Sequence, residues 1–512
     1  MGQGNRRWWA LGGLSLAILA VGLDGTVLSV ALPTLATALR ASESDLQWFQ
    51  SGYLLVLAAA MLPAGLLGDR YGRKKVLMTS LALFGAGSAL TAYSTSPGDF
   101  IAARVVLGVA GAGIIVMVLS ALTVLFTEEE RPRAVGIWSG ANFIALPVGP
   151  ILGGWMLTHH WWGWVFLINV PVALVGLAAT ALLVPESRAS RRPGVDTVGI
   201  AASAAGLVTL TYGFIQAGEY GWGSVGAVVP MIAGVVVLAG FFQFERWLAR
   251  RGGEPLLDLK LFSSPSYTWG VILVAVAILA MIGVLFTMPQ YFQGVLGTSA
   301  MGSGLRLLPL IGGLIVGAVP ADRVAARVGA KLAVVAGFTM LAAGLLVGAT
   351  TSVSSGTGFV AAWMAIGGAG LGLALATSAS AALAELSEEQ SGVGSAVLQA
   401  VNKTGAPFGA AILGSVLLGA YRSGVHLAGL PAPAASAVKS GIFGGVAVAS
   451  KAGSAALLDS VRTSFVHGMD LSLVVSAGVA VAGLILAAVF LPRQTARKPP
   501  VPAPEAETVH AT

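Results

Sequence analysis

The chain has 512 residues, of which 56% are hydrophobic and 10% are charged, whereas a soluble domain carries about 25% charged residues. This composition predicts a protein that crosses a membrane many times, and it excludes an ordinary soluble enzyme. The absence of cysteine excludes disulfides, thiol nucleophiles and thiolate metal sites. The net charge of +7 does not indicate nucleic-acid binding, because the basic residues lie mainly in loops on one side of the predicted spans.

Fourteen segments are long and apolar enough to cross a bilayer, which takes about 20 residues. They are 11–33, 47–67, 76–95, 100–125, 134–157, 164–184, 197–215, 226–246, 267–288, 302–320, 332–350, 358–381, 392–418 and 469–491. Loops on the side of the two termini hold 21 lysines and arginines, against five on the opposite side. Because basic loops stay in the cytoplasm, both termini are expected there, in the cytoplasmic membrane of a bacterium.

The first span contains Asp24, the only carboxylate deep in a predicted span, within LDGTVLSVALP (residues 23–33). An ionised carboxylate is costly in a low-dielectric site, so Asp24 is a candidate for binding and releasing protons. Two alternatives are permanent pairing with an arginine and a hydrated position near the inner end of the span. Arg104 is the only basic residue inside a span in the first half of the chain, in span 4. Its alternative is an arginine at the helix start that extends to the outer surface.

A cluster of charges separates spans 2 and 3 in the sequence GLLGDRYGRKKVL (residues 65–77). Glycines in this segment allow a sharp turn and close approach of two helices. A weaker copy, GAVPADRVAARVGAK, occupies residues 317–331 and indicates an internal repeat. Each copy follows the second span of a six-span set if spans 7 and 8 are set aside, which predicts two six-helix bundles with an inserted helix pair.

Span 5 contains the sequence WSGANFIALPVGPILGG (residues 138–154). Pro147 and Pro150 each remove a backbone hydrogen bond and bend the helix. Gly149, Gly153 and Gly154 allow tight contact with a neighbouring helix. The alternative interpretation is an ordinary kinked packing helix.

These motifs together resemble the major facilitator superfamily and, within it, the fourteen-span drug:proton antiporters. The resemblance rests on the 65–77 turn, the segment around Asp24, the R-x-x-x-G-x-G element that starts at Arg104, and the antiporter motif G-P-x-x-G-G. Leu107 stands where the family often has Gln, and Gly163 stands where it usually has Arg. The resemblance implies an all-α membrane fold, with Asp24 and Arg104 in proton coupling. It also implies a conformational latch formed by Gly65, Asp69, Arg70, Gly72 and Arg73.

The predicted domains follow from this plan. They are an N-terminal bundle at 1–190, two inserted helices with a linker at 191–262, a C-terminal bundle at 263–495 and a disordered cytoplasmic tail at 496–512. The C-terminal bundle includes a long extracellular loop at 419–468, which is expected to form a hairpin or short helices on the outer surface.

A central substrate cavity is expected to be lined by aromatic, apolar and a few polar side chains. The candidates are Tyr53, Trp138, Asn142, Phe286, Met288, Trp363, Gln399 and Asn402. Such walls suit hydrophobic or cationic drugs, although ordinary packing is the alternative for each residue. Lys403 is a basic residue within span 13 that either repels cations or lies near the outer mouth.

The predicted function is export of hydrophobic or cationic drugs by alternating access, with the proton gradient as the energy source and no cofactor. The expected partners are small substrates, protons and membrane lipids, and the protein is expected to be a monomer. The sequence contains no P-loop, which argues against an ATP-driven pump. The alternatives are a dedicated exporter of one metabolite, such as a self-made antibiotic, and a transporter-like sensor or lipid-handling protein.

Overall fold

The computed structural model describes residues 3–127, 130–188, 196–253, 259–384 and 388–492, and these residues contain helices and no strand. Several side chains between 131 and 147 and between 388 and 407 lie outside the described set. The first nine helices are α1 (Gln3–Ala38), α2 (Glu43–Tyr71), α3 (Arg73–Ala92), α4 (Pro97–Leu125), α5 (Arg131–His159), α6 (Trp164–Leu167), α7 (Asn169–Leu183), α8 (Thr197–Tyr220) and α9 (Val225–Arg250).

Ten further helices follow a 3-10 turn at Leu259–Ser263. They are α10 (Pro265–Gln290), α11 (Ala300–Arg306), α12 (Leu308–Ala318), α13 (Ala321–Val328), α14 (Ala330–Gly348), α15 (Thr357–Leu383), α16 (Glu388–Gly424), α17 (Ala432–Lys439), α18 (Ile442–Ala452) and α19 (Ala455–Phe490). A π-helical turn, Tyr291–Val295, continues α10.

Eleven helical segments among the described residues are long and apolar enough to cross a membrane, and two of them, Trp164–Leu183 and Ala300–Ala318, each combine two consecutive short helices. Helix α2 bends by 45° between Met61 and Pro63, where the proline cannot donate a backbone hydrogen bond. The number of spans is 12 if the two halves of α2 are counted as one span. The predicted count of 14 is therefore not confirmed. Helices α5 and α16 lie at predicted spans 5 and 13, and both contain side chains outside the described set.

Helix boundaries follow local sequence signals. The side chains of Ser42, Ser96 and Ser264 each accept a hydrogen bond from a backbone N–H three residues further on, which caps α2, α4 and α10. Gly72 and Gly329 have φ angles of 115° and 88°, which glycine adopts without steric cost. These two glycines join α2 to α3 and α13 to α14, so both copies of the repeated segment make the same kind of turn.

The long helices pack as two bundles. In the N-terminal bundle α1 packs against α5 and α7, and α4 packs against α2 and α3, around a core formed by residues between 10 and 184. In the C-terminal bundle α15 packs against α10, α12 and α14, and α19 packs against α14 and α16. Its core draws on residues between 273 and 491 together with Val30. The predicted domain boundaries at 190/191 and 495/496 fall among residues outside the described set, and the boundary at 262/263 lies in the 3-10 turn. All three stay predictions.

Helices α8 and α9 lie on the perimeter. They pack against each other at glycine contacts, and α8 also contacts α2 and α16. Only 17% of the most apolar stretch of α9 is buried, so most of this helix is exposed to lipid. Neither helix contributes a side chain to the central cavity described below.

The bundles meet at the end of the molecule where α1 ends and α2 begins, which the charge distribution predicts to be extracellular and which we call the outer end. Gln293 Nε2 donates to the carbonyl of Val30 at 3.2 Å, and Gln290 Nε2 donates to Glu43 Oε1 at 3.0 Å. The backbone of α5 at Pro150 and Gly154 also touches α11. These contacts join residues of both bundles, so the outer end is closed.

Much of the segment predicted as the long loop at 419–468 is helical. Helix α16 continues to Gly424 and α19 begins at Ala455, because the sequence after Ser454 keeps helical periodicity and Ser454 caps the helix start. Between these helices, α17 and α18 form an outer cap (residues 432–452). The hydroxyl of Tyr421 donates to the carbonyl of Val438 at 2.8 Å and holds the cap against α16.

Candidate functional site

A buried ion pair joins α1 and α4. Arg104 Nη1 donates to Asp24 Oδ2 at 2.6 Å, and both side chains are fully buried. Sequence reasoning selected both residues but did not pair them with each other. The structure brings them together, which corresponds to the arginine-paired alternative for Asp24. It does not show the alternative in which Arg104 extends to the outer surface.

Helix α2 fixes the position of the arginine. The guanidinium lies 4.2 Å from the centre of the Tyr53 ring, and Arg104 Nε donates to the carbonyl of Phe49 at 3.3 Å. A cation over an aromatic face is attracted by the ring electrons. Gly108 permits this approach, since a Cβ there would lie 2.8 Å from the carbonyl oxygen of Tyr53.

Part of the hydrogen-bonding capacity of this cluster is unused. Asp24 Oδ1, Arg104 Nη2 and the Tyr53 hydroxyl are buried and have no hydrogen-bond partner among the described residues. Asp24 therefore keeps one buried oxygen without a hydrogen-bond partner among the described residues, while its other oxygen contacts the arginine.

A central cavity of about 240 Å³ lies between the two bundles beside this cluster. Its wall on the N-terminal bundle carries the polar groups Thr26, Ser29, Gln50 and Tyr53. Its wall on the C-terminal bundle is aliphatic, formed by Ile278, Met281, Ile282, Leu285, Leu310, Ile311 and Leu314. Most ligand pockets measure about 300–1,000 Å³, so a large ligand requires movement of these walls.

Of the predicted cavity residues whose side chains are described, one lines the cavity and three are buried elsewhere. Tyr53 lines the cavity, whereas Phe286, Met288 and Trp363 are buried in the hydrophobic cores. Trp363 packs against Gly348, and Phe286 packs at the junction of the bundles. These three are on faces of α10 and α15 that meet other helices, which an apolar sequence alone does not distinguish from a cavity face. The side chains of Trp138, Asn142, Gln399 and Asn402, and that of Lys403, lie outside the described residues.

The antiporter motif forms two helix contacts. A Cβ on Gly149 would lie 2.0 Å from Thr26 Oγ1, and a Cβ on Gly153 would lie 2.7 Å from a methyl group of Val27, so these glycines seat α5 on α1. A Cβ on Gly154 would lie 2.6 Å from the Cα of Met301, so this glycine admits α11 of the other bundle. Pro150 lines the cavity, and the side chain of Pro147 lies outside the described residues.

The residues of the predicted latch lie at the inner end, opposite the outer end. Asp69 Oδ1 accepts hydrogen bonds from Arg73 Nη2 at 2.8 Å and Arg73 Nε at 3.0 Å. Gly72 leaves room for Glu186, which accepts a hydrogen bond from the backbone N–H of Lys74 at the start of α3. Gly65 faces Val116 of α4, and Arg70 stacks over the ring of Tyr71.

Sequence reasoning missed several buried polar groups. The sequence indicates Asp24 as the only carboxylate deep in a predicted span, yet in the structure Glu43 is 2% exposed and Glu245 is fully buried. Asp470 also lies well inside a helix, because α19 begins before the predicted span. The spacing of Glu43, Gln47 and Gln50 at intervals of four and three residues was a helical signal that could have identified this face of α2.

The sequence model of the Major Facilitator Superfamily matches residues 14–410. The chain belongs to the major facilitator superfamily. Among its superfamily relatives, a tetracenomycin C resistance and export protein of Streptomyces glaucescens is 34% identical over 417 residues, covering 81% of this chain and 77% of the relative. The multidrug efflux pump LfrA of Mycolicibacterium smegmatis is 32% identical over 494 residues, covering 96% and 97%.

The fold agrees with this assignment. A bacterial homologue of the human lysosomal transporter Spinster, solved in an inward-facing and unoccupied conformation, superposes with a TM-score of 0.67. The match covers 96% of this chain and 99% of that one at 15% sequence identity. The two chains therefore share the major facilitator fold.

Proposed function

We propose that this superfamily member exports hydrophobic or cationic drugs and antibiotics across the cytoplasmic membrane in exchange for protons. The observation that carries the proposal is the buried Asp24–Arg104 pair, which lies behind Tyr53 at the edge of the central cavity. A proton acceptor next to a substrate cavity allows the two ligands to influence each other. Export is supported by the relatives, which include a multidrug efflux pump and an antibiotic export protein.

The cavity suits amphipathic substrates, because one wall is aliphatic and the other carries hydroxyl, amide and phenol groups. We place both termini in the cytoplasm, since the basic loops lie on that side. Energy would come from inward movement of protons, with no bound cofactor. Proton binding at Asp24 and substrate binding in the cavity would alternate as the two bundles rock about the site.

Transport by purified protein in liposomes tests this proposal. With an acidic compartment on the outer side, wild-type protein should concentrate a fluorescent drug on that side. Asp24→Asn should abolish this uphill transport while retaining exchange of labelled for unlabelled drug across the membrane. Uphill transport by Asp24→Asn at the wild-type rate, normalised to exchange, would falsify the assignment of Asp24.

A dedicated exporter of one metabolite is the second candidate. This candidate is favoured by sequence similarity to export proteins that are named for single compounds. One of them, a probable actinorhodin transporter of Streptomyces coelicolor, is 33% identical over 423 residues. Competition assays separate the two: a dedicated exporter would be inhibited by one class of compound, and a multidrug exporter by many. Failure to move any compound under a pH gradient would favour the sensor or lipid-handling alternative.

A further inference from the structure

A row of polar side chains follows one face of α2 from the outer end to the ion pair. Glu43, Gln47, Gln50 and Tyr53 are separated by four, three and three residues, which keeps them on one side of a helix. At a rise of about 1.5 Å per residue, the row extends over about 15 Å. All four are buried, with exposed fractions of 2%, 0%, 5% and 2%.

Most of these groups have unused hydrogen-bonding atoms. Gln47 Nε2 and Oε1, Gln50 Oε1 and the Tyr53 hydroxyl have no partner among the described residues, and the row ends at the unpartnered Asp24 Oδ1. A buried polar group left unpaired costs about 1–3 kcal/mol, and proteins usually satisfy such groups with buried water. The four unpaired atoms on these three side chains of α2 are therefore suited to hold a chain of water molecules.

The outer end of the row is closed by a contact between the bundles. Glu43 accepts a hydrogen bond from Gln290, whose own Oε1 is buried without a described partner, and the backbone N–H of Glu43 donates to Ser440 of the outer cap. Charged and titratable groups of the neighbouring helices surround it. Arg422 and Tyr421 of α16 interact with Glu43 electrostatically, and Glu219 of α8 accepts a hydrogen bond from the adjacent Ser44.

We propose that this face of α2 is the path by which protons reach Asp24 from the outer side. The inference rests on the proposed proton-coupled function. When the outer end opens, the Glu43–Gln290 contact separates and outer water reaches the row. A proton then passes between hydrogen-bonded waters held by Gln47 and Gln50, binds Asp24 Oδ1 and neutralises the charge that pairs with Arg104. The amides hold water without storing charge, because each offers both donors and an acceptor.

Gln47→Leu tests the path, because Gln47 lies on the row but does not line the central cavity. Gln47 packs against Gly414 of α16 through its Cγ and Cδ atoms, and a leucine keeps carbon atoms at both of these positions. In liposomes, drug transport driven by an acidic outer compartment should fall about tenfold or more, since a proton-transfer step is lost. Exchange of labelled for unlabelled drug, which needs no proton step, should remain within about twofold of wild type in the same preparation.

The matched control is Gln293→Leu, which removes an amide at the same end of the molecule, where Gln293 contacts Val30 across the bundles. Gln47→Asn keeps both amide functions and should restore uphill transport. Equal losses in Gln47→Leu and Gln293→Leu, or a parallel loss of uphill transport and exchange in Gln47→Leu, would show a packing defect and overturn the path. If Gln47→Leu transports uphill at the wild-type rate, the proposed path is overturned but the proposed function stands. If the wild-type protein shows no proton-driven transport, both the path and the proposed function are overturned.

Discussion

Asp24 and Arg104 are stabilised by each other inside a site with no solvent exposure. A buried ion pair recovers the cost of desolvation only when both partners are present. Tyr53 and the carbonyl of Phe49 provide Arg104 with further interactions, but they do not replace a negative charge. Loss of one partner therefore leaves an uncompensated buried charge, whereas loss of both leaves a neutral site.

This asymmetry predicts a non-additive effect on stability. Asp24→Asn alone should lower the free energy of unfolding by about 3–5 kcal/mol, because Arg104 remains charged and buried. The double variant Asp24→Asn with Arg104→Gln should recover most of that loss without recovering uphill transport. Thermal unfolding of the purified protein in detergent measures both effects. A double variant less stable than Asp24→Asn would contradict the prediction.

The chemical character of this site could be predicted from the sequence, but its geometry could not. A carboxylate and an arginine inside apolar spans are conspicuous because both are costly in a membrane. Their pairing joins positions 80 residues apart in the chain, and no local pattern encodes such a contact. Phe286 and Trp363 were predicted to line the cavity but are buried in the cores. The sequence of a span does not distinguish an aromatic residue that packs in a core from one that lines a cavity.

At the scale of helices, α5 links the two bundles through its glycines. Gly149 and Gly153 contact α1 within one bundle, whereas Gly154 contacts α11 in the other. The first two contacts lie within the N-terminal bundle, and the third crosses to the C-terminal bundle at the closed outer end. Substitution at Gly154 is therefore expected to change the balance between conformations without disrupting the N-terminal bundle.

Gly154→Ala should favour the state that is open at the outer end. The added Cβ would lie 2.6 Å from the Cα of Met301 and 2.8 Å from the carbonyl oxygen of Ala300, and such overpacking costs about 1–3 kcal/mol. Because the chain has no cysteine, Ser29→Cys in the cavity wall provides a single reporter thiol. Labelling of that thiol by a membrane-impermeant maleimide in intact cells should accelerate. Gly312→Ala, where a Cβ meets no atom within 4 Å, is the control and should leave the rate unchanged.

Helices α10 and α9 differ in what their side chains contact. Ile278 of α10 lines the central cavity, whereas Ile232 of α9 is 59% exposed on the perimeter. Ile278→Trp should narrow the cavity and reduce export of large drugs more than export of small ones. Ile232→Trp should leave the ratio of these rates unchanged, because the added ring faces lipid. Export rates for a size-graded panel of dyes measure the ratio, and equal shifts in both variants would contradict the assignment of the cavity.

At the scale of the whole molecule, the sequence predicts the repeated turn. It predicts the outer cap only in part. Gly72 and Gly329 stand out in the sequence because a sharp turn between two spans requires their backbone angles. The cap was expected as short helices or a hairpin, but α16 and α19 take up much of the chain assigned to the loop. Moderately apolar sequence at a membrane surface permits both helix extension and loop, and contacts such as that between Tyr421 and Val438 decide between them.

Alternating access requires a second conformation in which the outer contacts separate and the inner end closes. Asp69 is a candidate for stabilising that state. In the present conformation its carboxylate binds Arg73 in the next helix, four residues further on. The family resemblance predicts that it moves to the start of span 13 when the inner end closes. The sequence puts that start near Ser391 and Gly392, whereas in the structure the corresponding helix, α16, begins at Glu388. The backbone N–H groups free to meet Asp69 are therefore those of the first turn, up to Ser391. A carboxylate at a helix N-terminus is stabilised by about 0.3–1 kcal/mol, and by more if it is partly buried.

Asp69→Asn should therefore shift the protein toward the conformation that is closed at the outer end. Labelling of the Ser29→Cys reporter from outside should slow, which is opposite to the effect expected for Gly154→Ala. The double variant should label at an intermediate rate, because the two substitutions act on opposite ends of one equilibrium. Asp459→Asn, which removes an exposed carboxylate at the outer end, controls for the change in charge. Faster labelling in Asp69→Asn would show that Asp69 stabilises the present conformation through Arg73 and would rule out the proposed latch.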